Sequence, residues 1–382
     1  MIPEKPRYRI AGELERFDER DNVQARNTYD PGSEEYRDFY GRHPDWEERD
    51  RQTRELSKNP VGNPLDFSFF LQQIGKLAQW GSEDLINGPI SPQKQELSPE
   101  RAAVKVKGFA RHLGADLVRI GPLNPAFVYT HTGKTWHDPA RKYGAPIIVD
   151  HAHAISIAVA INPDLIKTGP VLSMASEIMR VYTHLAMIST TLAGYIRSLG
   201  YPARAHIISN YQVLCVPIAI EAGMGELGRH GLMITKELGS CLKLTTVTAD
   251  LSLPHDSFTD IGVDEFCRDC AICADICPGG AIPRTKQLVR GIEKWRINPE
   301  ACFRVWNETG TDCGVCVAAC PWTKPRKGIH RIAREIACRK KKAGWWMSRA
   351  ERIMYGRFRP RQSPPWFEVP ESIWRKYKTL MR

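Results

Sequence analysis

Apolar residues recur at three- and four-residue steps through Ile178, Val181, Leu185, Ile188, Leu192, Ile196 and Leu199. That stripe predicts an amphipathic helix over 173–199, ended by Gly200-Tyr201-Pro202. A second helix is predicted from Ser98, a cap ahead of Pro99, through Leu113, with Gly114 closing it. A shorter amphipathic helix is predicted over 66–80. Apolar and β-branched runs bounded by turn residues predict strands at 116–121, 147–150, 155–161, 205–208 and 242–249. The run 213–220 is also of buried-strand length. Before this region the pattern is different. Residues 13–21 and 45–54 are highly charged, and Pro31, Gly32, Pro44, Pro60, Gly62 and Pro64 interrupt them. They predict an irregular arm wrapped on a domain. The stretch 331–382 is basic and aromatic, with Trp345, Trp346, Tyr355, Phe358, Trp366, Phe367, Trp374 and Tyr377.

At 382 residues and 42% hydrophobic content the chain can bury a sizeable core. No apolar run reaches the ~20 residues of a spanning helix. The start, Met1-Ile-Pro-Glu-Lys5, carries no twin arginine and no apolar leader. A cytoplasmic protein is expected from the chain as given, with the mature form of an exported protein as the alternative. The net charge of +11 is concentrated late, in 324–327, 339–342, Arg357, Arg359 and Arg361. An anionic partner (an acidic electron carrier, a membrane surface or RNA) is one reading of this excess. A solvated helical face is the other, and the one preferred from sequence.

Cysteine spacing changes the picture most. Cys267-x2-Cys270-x2-Cys273-x3-Cys277-Pro278 is followed by Cys302-x10-Cys313-x2-Cys316-x3-Cys320-Pro321, taking 8 of the 11 cysteines. The CxxCxxCxxxCP run is the bacterial ferredoxin signature for a [4Fe–4S] cluster, whose fourth cysteine ligates the other cluster. Cys267, Cys270, Cys273 and Cys320 are therefore expected to hold one cluster, and Cys277, Cys302, Cys313 and Cys316 the second. Zinc suits paired CxxC motifs rather than an unbroken triple closed by CP. Disulfides suit small secreted chains. Cys215, Cys241 and Cys338 remain and are expected to be structural.

Outside the clusters, Gly223, Gly225, Gly228 and Gly231 form a glycine-rich turn whose backbone can approach a ligand closely. GxGxxG is formally present, but no strand–turn–helix unit with a distant acidic residue surrounds it, and Arg229 and His230 add bulk. A flat or extended cofactor lying on backbone fits better than a dinucleotide. Tyr182 borders the helical stripe, where pattern alone favours a core tyrosine. His151, His153 and His184 read as packed or hydrogen-bonded. No HExxH, nucleophile elbow or Walker sequence occurs. A cobalamin-binding DxHxxG is missing too, since Asp150-His151-Ala152-His153 is spaced differently.

The segment 222–240, the strand ending in Asp250-Leu-Ser-Leu-Pro254 and the two cysteine strings form one ordered set. That set resembles the corrinoid-dependent reductive dehalogenases over roughly 100–382. The string from Glu15 to Asn22 is similar to the start of mature members. More distantly the chain resembles epoxyqueuosine reductase, through the glycine turn and Cys320-Pro321-Trp322. The resemblance implies an α/β, nitroreductase-like core at 98–255 that binds base-off cobalamin. It implies a ferredoxin-like two-[4Fe–4S] domain at 256–330, with an N-terminal arm at 1–97 and a basic aromatic extension at 331–382. It further implies a tyrosine proton donor ahead of the glycine turn, matched by Tyr182, and a supporting cation after it, matched by Lys243. Corrinoid contacts are expected from Gly223, Gly225, Gly228, Arg229 and His230, with Asn210 as a further pocket residue. Cleavage of a carbon–halogen bond in a small organohalide is the implied activity. A separate low-potential donor such as a ferredoxin or flavodoxin would supply electrons, and membrane association would run through a partner. Nucleic acid is not expected as a partner. Two other classes compete: an epoxyqueuosine reductase-like tRNA-modifying enzyme, and a corrinoid and iron–sulfur electron-transfer protein. Against the first stands Arg180-Val-Tyr-Thr-His184, where that family has an aspartate. The second would need neither Tyr182 nor Lys243.

Overall fold

The computed structural model describes residues 9–57, 67–135, 141–208, 210–258, 260–325, 328–339, 343–367 and 369–380. Pro60, Gly62, Pro64, the basic positions 326–327 and 340–342, and the side chains of Arg339 and Tyr377 lie outside that description.

Four strands make the central sheet: β1 (Leu117–Pro122), β2 (His153–Ala160), β3 (Ala203–His206) and β4 (Leu242–Ala249). They run in the order β1-β2-β4-β3, every neighbouring pair antiparallel. Three helices frame it: α1 (Pro99–His112), α2 (Leu172–Ser198) and α3 (Cys215–Glu221). Ser98 caps α1 through the Arg101 N–H at 3.3 Å. Side chains alternate across a strand. Ile155, Ile157 and Val159 of β2 and Val247 of β4 thus join Ile178, Val181, Leu185 and Ile188 of α2 in the main core. Ala158 and Leu242 face the other way and pack with Ala219 and Ile220 of α3. Covering both faces explains why β2 reads as an apolar run rather than an alternating one. Each fully buried Ile, Leu or Val contributes about 1.5–3 kcal/mol, so the α2 stripe is a principal stabiliser of this layer.

Three segments differ from expectation. The run 213–220 touches strand pairing only at Val213, bridged to Val128, and then turns into α3. A short apolar run suits a buried helix as well as a buried strand. Residues 147–150 form no strand; Pro146 makes an isolated bridge to His131, and the Ile147 carbonyl accepts from the Arg16 guanidinium (2.8 Å) instead of from a ladder. The N-terminal arm is substantially helical, with helices Val23–Arg26, Glu34–Arg42 and Glu47–Ser57 around a small core of Ala25, Tyr29, Phe39 and Tyr40. Its charges are interior ties. Glu19, fully buried, accepts from the Gly133 N–H (2.9 Å) and from Arg141 (2.9 Å).

Past the cysteine strings come helices Gly328–Arg339, Ala343–Tyr355 and Glu371–Leu380. Phe367 packs on Leu172 and Ala175, and Trp374 on Val171, at the start of α2. No helix among the described residues is long and apolar enough to cross a membrane.

Candidate functional site

The eight cysteines sit on short helices and the loops between them. Cys267 lies on helix Val263–Asp269, Cys273 on Ile272–Asp275, Cys302 on Pro299–Thr309 and Cys316 on Val315–Ala318. Burial pushes the Cys270 and Cys313 thiols up to about 12 and the Cys302 thiol to about 11. The expected ligand sets make a first cage (Cys267, Cys270, Cys273 and Cys320) and a second (Cys277, Cys302, Cys313 and Cys316). Thiols act on one another within and across them, Cys320 on Cys316 and Cys316 on Cys273 included. Cys320 acts on Cys267, Cys270 and Cys273. Cys277 and Cys302 act on Cys313 and Cys316. Four thiols crowded in so dry a setting become thiolates only when bound to metal, and all-sulfur cages suit iron–sulfur clusters. The Ala281 N–H also donates to Cys277 Sγ at 3.3 Å. Of the remaining cysteines, Cys241 is buried in the main core, where burial lifts its thiol to about 12.

The glycine turn brackets the first cage. A side chain at Gly223 would meet the Ser257 carbonyl at 2.4 Å, at Gly225 the Ile234 carbonyl at 2.3 Å, and at Gly228 the His230 and Ile234 side chains at 2.8 Å. These contacts leave no room for a side chain at any of the three positions. Arg229 is buried, and its guanidinium donates to the carbonyls of Cys267 (Nε, 3.0 Å), Arg268 (3.1 Å) and Pro283 (3.0 Å). Glu226 accepts the N–H groups of Ile261 (2.6 Å) and Gly262 (3.1 Å) ahead of the helix bearing Cys267. His230 Nε2 meets Ser240 Oγ at 2.9 Å, and Ser240 lies near enough to Cys320 to oppose the rise of its thiol by burial. Asn210 is fully buried and accepts from Arg204 at 3.1 Å. The histidines are likewise engaged: His151 with Thr248 (2.8 Å), His153 with His255 (3.0 Å) and His184 with the Leu113 carbonyl (3.1 Å).

Tyr182 and Lys243 come together from different elements. Lys243 pairs with Val159 in the sheet and shares the α2-facing side of β4 with Val247. Tyr182 is one position beyond Val181 in the α2 stripe and projects toward the same space. The Lys243 Nζ lies 4.8 Å from the Tyr182 ring centre, close enough for its charge to act on the phenol. Asp312, next to Cys313, faces the pair. All three sit deep in the protein yet keep part of their surface accessible. Burial raises the Tyr182 phenol, and the Lys243 ammonium opposes that rise. Burial disfavours the Lys243 charge, but Tyr182 and Asp312 outweigh it, and the ammonium is held above its ordinary range. Asp312 is raised by burial, with Lys243 opposing. Cys316 also acts on Lys243, so this trio stands at the second cage. Sequence reasoning missed Asp312, although an acid directly before a cluster cysteine was a usable signal. It also missed Tyr211, beside Asn210, whose hydroxyl is held by Lys134 at 2.6 Å and which acts on Tyr182.

Residues 266–324 match the 4Fe-4S dicluster domain family, so this part of the chain is built for two [4Fe–4S] clusters. The chain is 30% identical over 327 residues to the tetrachloroethene reductive dehalogenase of Desulfitobacterium hafniense, covering 74% of this chain and 57% of that protein. It is 31% identical to the enzyme of the same description from Dehalobacter restrictus, with the same coverage. It therefore spans a little over half the length of these relatives. The epoxyqueuosine reductase of Salmonella typhimurium is a more distant relative, 33% identical over 141 residues, or 32% of this chain and 36% of that one. Among solved structures, the catabolic reductive dehalogenase NpRdhA shares the fold with a TM-score of 0.76 at 22% identity, over 93% of this chain and 49% of that one. The mixed helix–sheet core, the dicluster domain behind it and the sequence likeness agree: the chain belongs to the reductive dehalogenase family.

Proposed function

We propose that the chain catalyses reductive dehalogenation of a small organohalide, R–X + 2e⁻ + H⁺ → R–H + X⁻. The observation that carries this reading is the Tyr182–Lys243 pair beside the second cysteine cage, a proton source next to an electron source. A base-off cobalamin would take the space that Tyr182, Lys243 and Asp312 line. When bound, it would supply the cobalt chemistry that breaks the carbon–halogen bond. The protic character of these groups and their nearness to the cage support that fit. The two clusters would relay electrons from a separate low-potential donor.

Tyr182 supplies the proton. With its pKa raised, the phenol stays protonated at neutral pH and holds its proton until carbon takes it. Lys243 then stabilises the phenolate by a charge-assisted hydrogen bond. Asp312 acts on Lys243 in the sense that favours its ammonium.

The test is Tyr182→Phe in anaerobically reconstituted protein, assayed by halide release from tetrachloroethene and from a bromophenol. The variant should keep corrinoid and clusters and lose activity by about 10²–10⁴-fold, the usual range for a positioned acid. Full activity would remove Tyr182 from the mechanism. Bromide should also add halogen hyperfine structure to the Co(II) EPR signal of the wild type. A signal indifferent to bromide would count against a halide-accepting site.

A further inference from the structure

We propose that a cationic recess beside the cysteine cages is the docking site of an acidic, low-potential electron-carrier protein. This inference rests on the dehalogenase reading only in needing electrons from outside. The recess has a volume of about 950 Å³. Its floor includes Ile272 and Ile276, each 8% exposed and on either side of Cys273 in the chain. Ala318 and Ala319, just before Cys320, complete the floor. Cys273 and Cys320 of the first expected ligand set, and Cys277 and Cys316 of the second, all adjoin that floor in the chain. Lys243 is coupled to Cys316. An electron delivered to the recess therefore arrives next to cluster ligands.

The walls choose the partner. They carry six lysines and arginines against two carboxylates. Lys324 is paired with Glu351 (2.8 Å), Arg352 with Asp275, and Lys167 (3.8 Å) and Arg361 (3.1 Å) share Asp164, yet the wall's cations still outnumber these carboxylates. Arg357 and Arg359 are exposed at its edge. Phe358 between them packs against the cores of both the sheet layer and the cysteine domain, which anchors the backbone that carries the two arginines. Cations around an apolar floor complement a carrier whose redox centre is ringed by carboxylates. A flat lipid surface could touch the edge but not the floor. Each encounter moves one electron: the carrier's reduced centre is oxidised and a cluster is reduced. Two encounters and one proton serve each halide released.

The experiment uses the holoenzyme and flavodoxin hydroquinone as the acidic donor, following flavin oxidation by anaerobic stopped flow. The wild-type bimolecular rate should fall steeply with salt. Arg357→Glu/Arg359→Glu should lower it about tenfold or more at low salt, as loss of electrostatic steering does. Reduction by methyl viologen radical, which needs no acidic surface, should be unchanged and reports intact clusters. Arg357→Gln/Arg359→Gln should give an intermediate loss, guarding against a fold defect in the charge reversal. Equal flavodoxin rates and salt slopes in wild type and variants would overturn the proposal. So would unchanged flavodoxin rates with loss of binding to phosphatidylglycerol vesicles, which would assign the surface to lipid. The readout does not involve halide. A charge-sensitive flavodoxin rate with no organohalide turnover would sink the dehalogenase reading and leave the dock standing.

Discussion

His230 Nδ1 accepts the Leu232 N–H at 3.2 Å, which places the ring proton on Nε2, the atom that donates to Ser240 Oγ at 2.9 Å. With that lone pair engaged, the Ser240 hydroxyl proton is left to point toward neighbouring Cys320 once that sulfur ligates a cluster. A hydrogen bond to a cluster sulfur stabilises the charge added on reduction and raises the potential. Ser240→Ala should therefore shift the first cluster to a more negative potential while the second stays put. An EPR-monitored redox titration reads both, and two unmoved potentials would refute the relay. The same ring makes an acid prediction. Burial pushes His230 down to about 4, below its unfolded value. Its contribution to stability is present above an unfolded pKa near 6.5 and is lost as pH falls toward 4. His230→Gln should flatten that part of the melting temperature against pH profile. An unchanged profile would mean that other groups govern acid stability.

The element that joins the sheet layer to the cysteine domain is the segment 223–240. Gly239 has φ +62°, and a side chain there would lie 1.8 Å from the Trp322 carbonyl. Gly239→Ala adds left-handed strain to a backbone clash, so about 1–3 kcal/mol is a lower bound on its cost. It should lower the melting temperature and deplete iron. A variant with wild-type melting and iron content would show that the junction is pliable. At this scale the sequence is unevenly legible. The α2 stripe and β4 declare themselves because their partners impose periods of 3.6 and 2 on the chain itself. The cysteine strings are legible because a cubane is gripped by local spacing. The glycine turn shows where side chains are excluded but not by what. Its neighbours are Ser257, Ile234 and Trp322, and no periodicity encodes those contacts. Lys243 and Tyr182 were found through family likeness, since periodicity alone made Tyr182 a core residue. Asp312 needs the packing of one domain on the other before its role appears.

Across the whole molecule, the polar arm looked coreless because its stabilising contacts are distant. Arg26 is 1% exposed, bonded to Asp50 at 2.7 Å within the arm and to Glu300 at 2.8 Å, a residue 274 positions away. Glu300 belongs to the helix that carries Cys302. The arm thus clasps the second cage from outside while Arg16 and Glu19 hold the sheet layer. Breaking one side of a buried ion pair leaves the other charge uncompensated, at about 3–5 kcal/mol. Arg26→Ala should therefore loosen helix 299–309 and make the second cluster the first to be lost to an iron chelator, with the first cluster outlasting it. Arg26→Met with Asp50→Leu removes both buried charges and should recover much of the melting temperature, since apolar replacement of a buried pair is often neutral. It should not recover the chelator resistance of the second cluster, because the bond to Glu300 is still missing. Recovery of both would mean that the arm acts through its own stability alone. Recovery of melting temperature without chelator resistance would show that the arm's function is to keep the second cage closed.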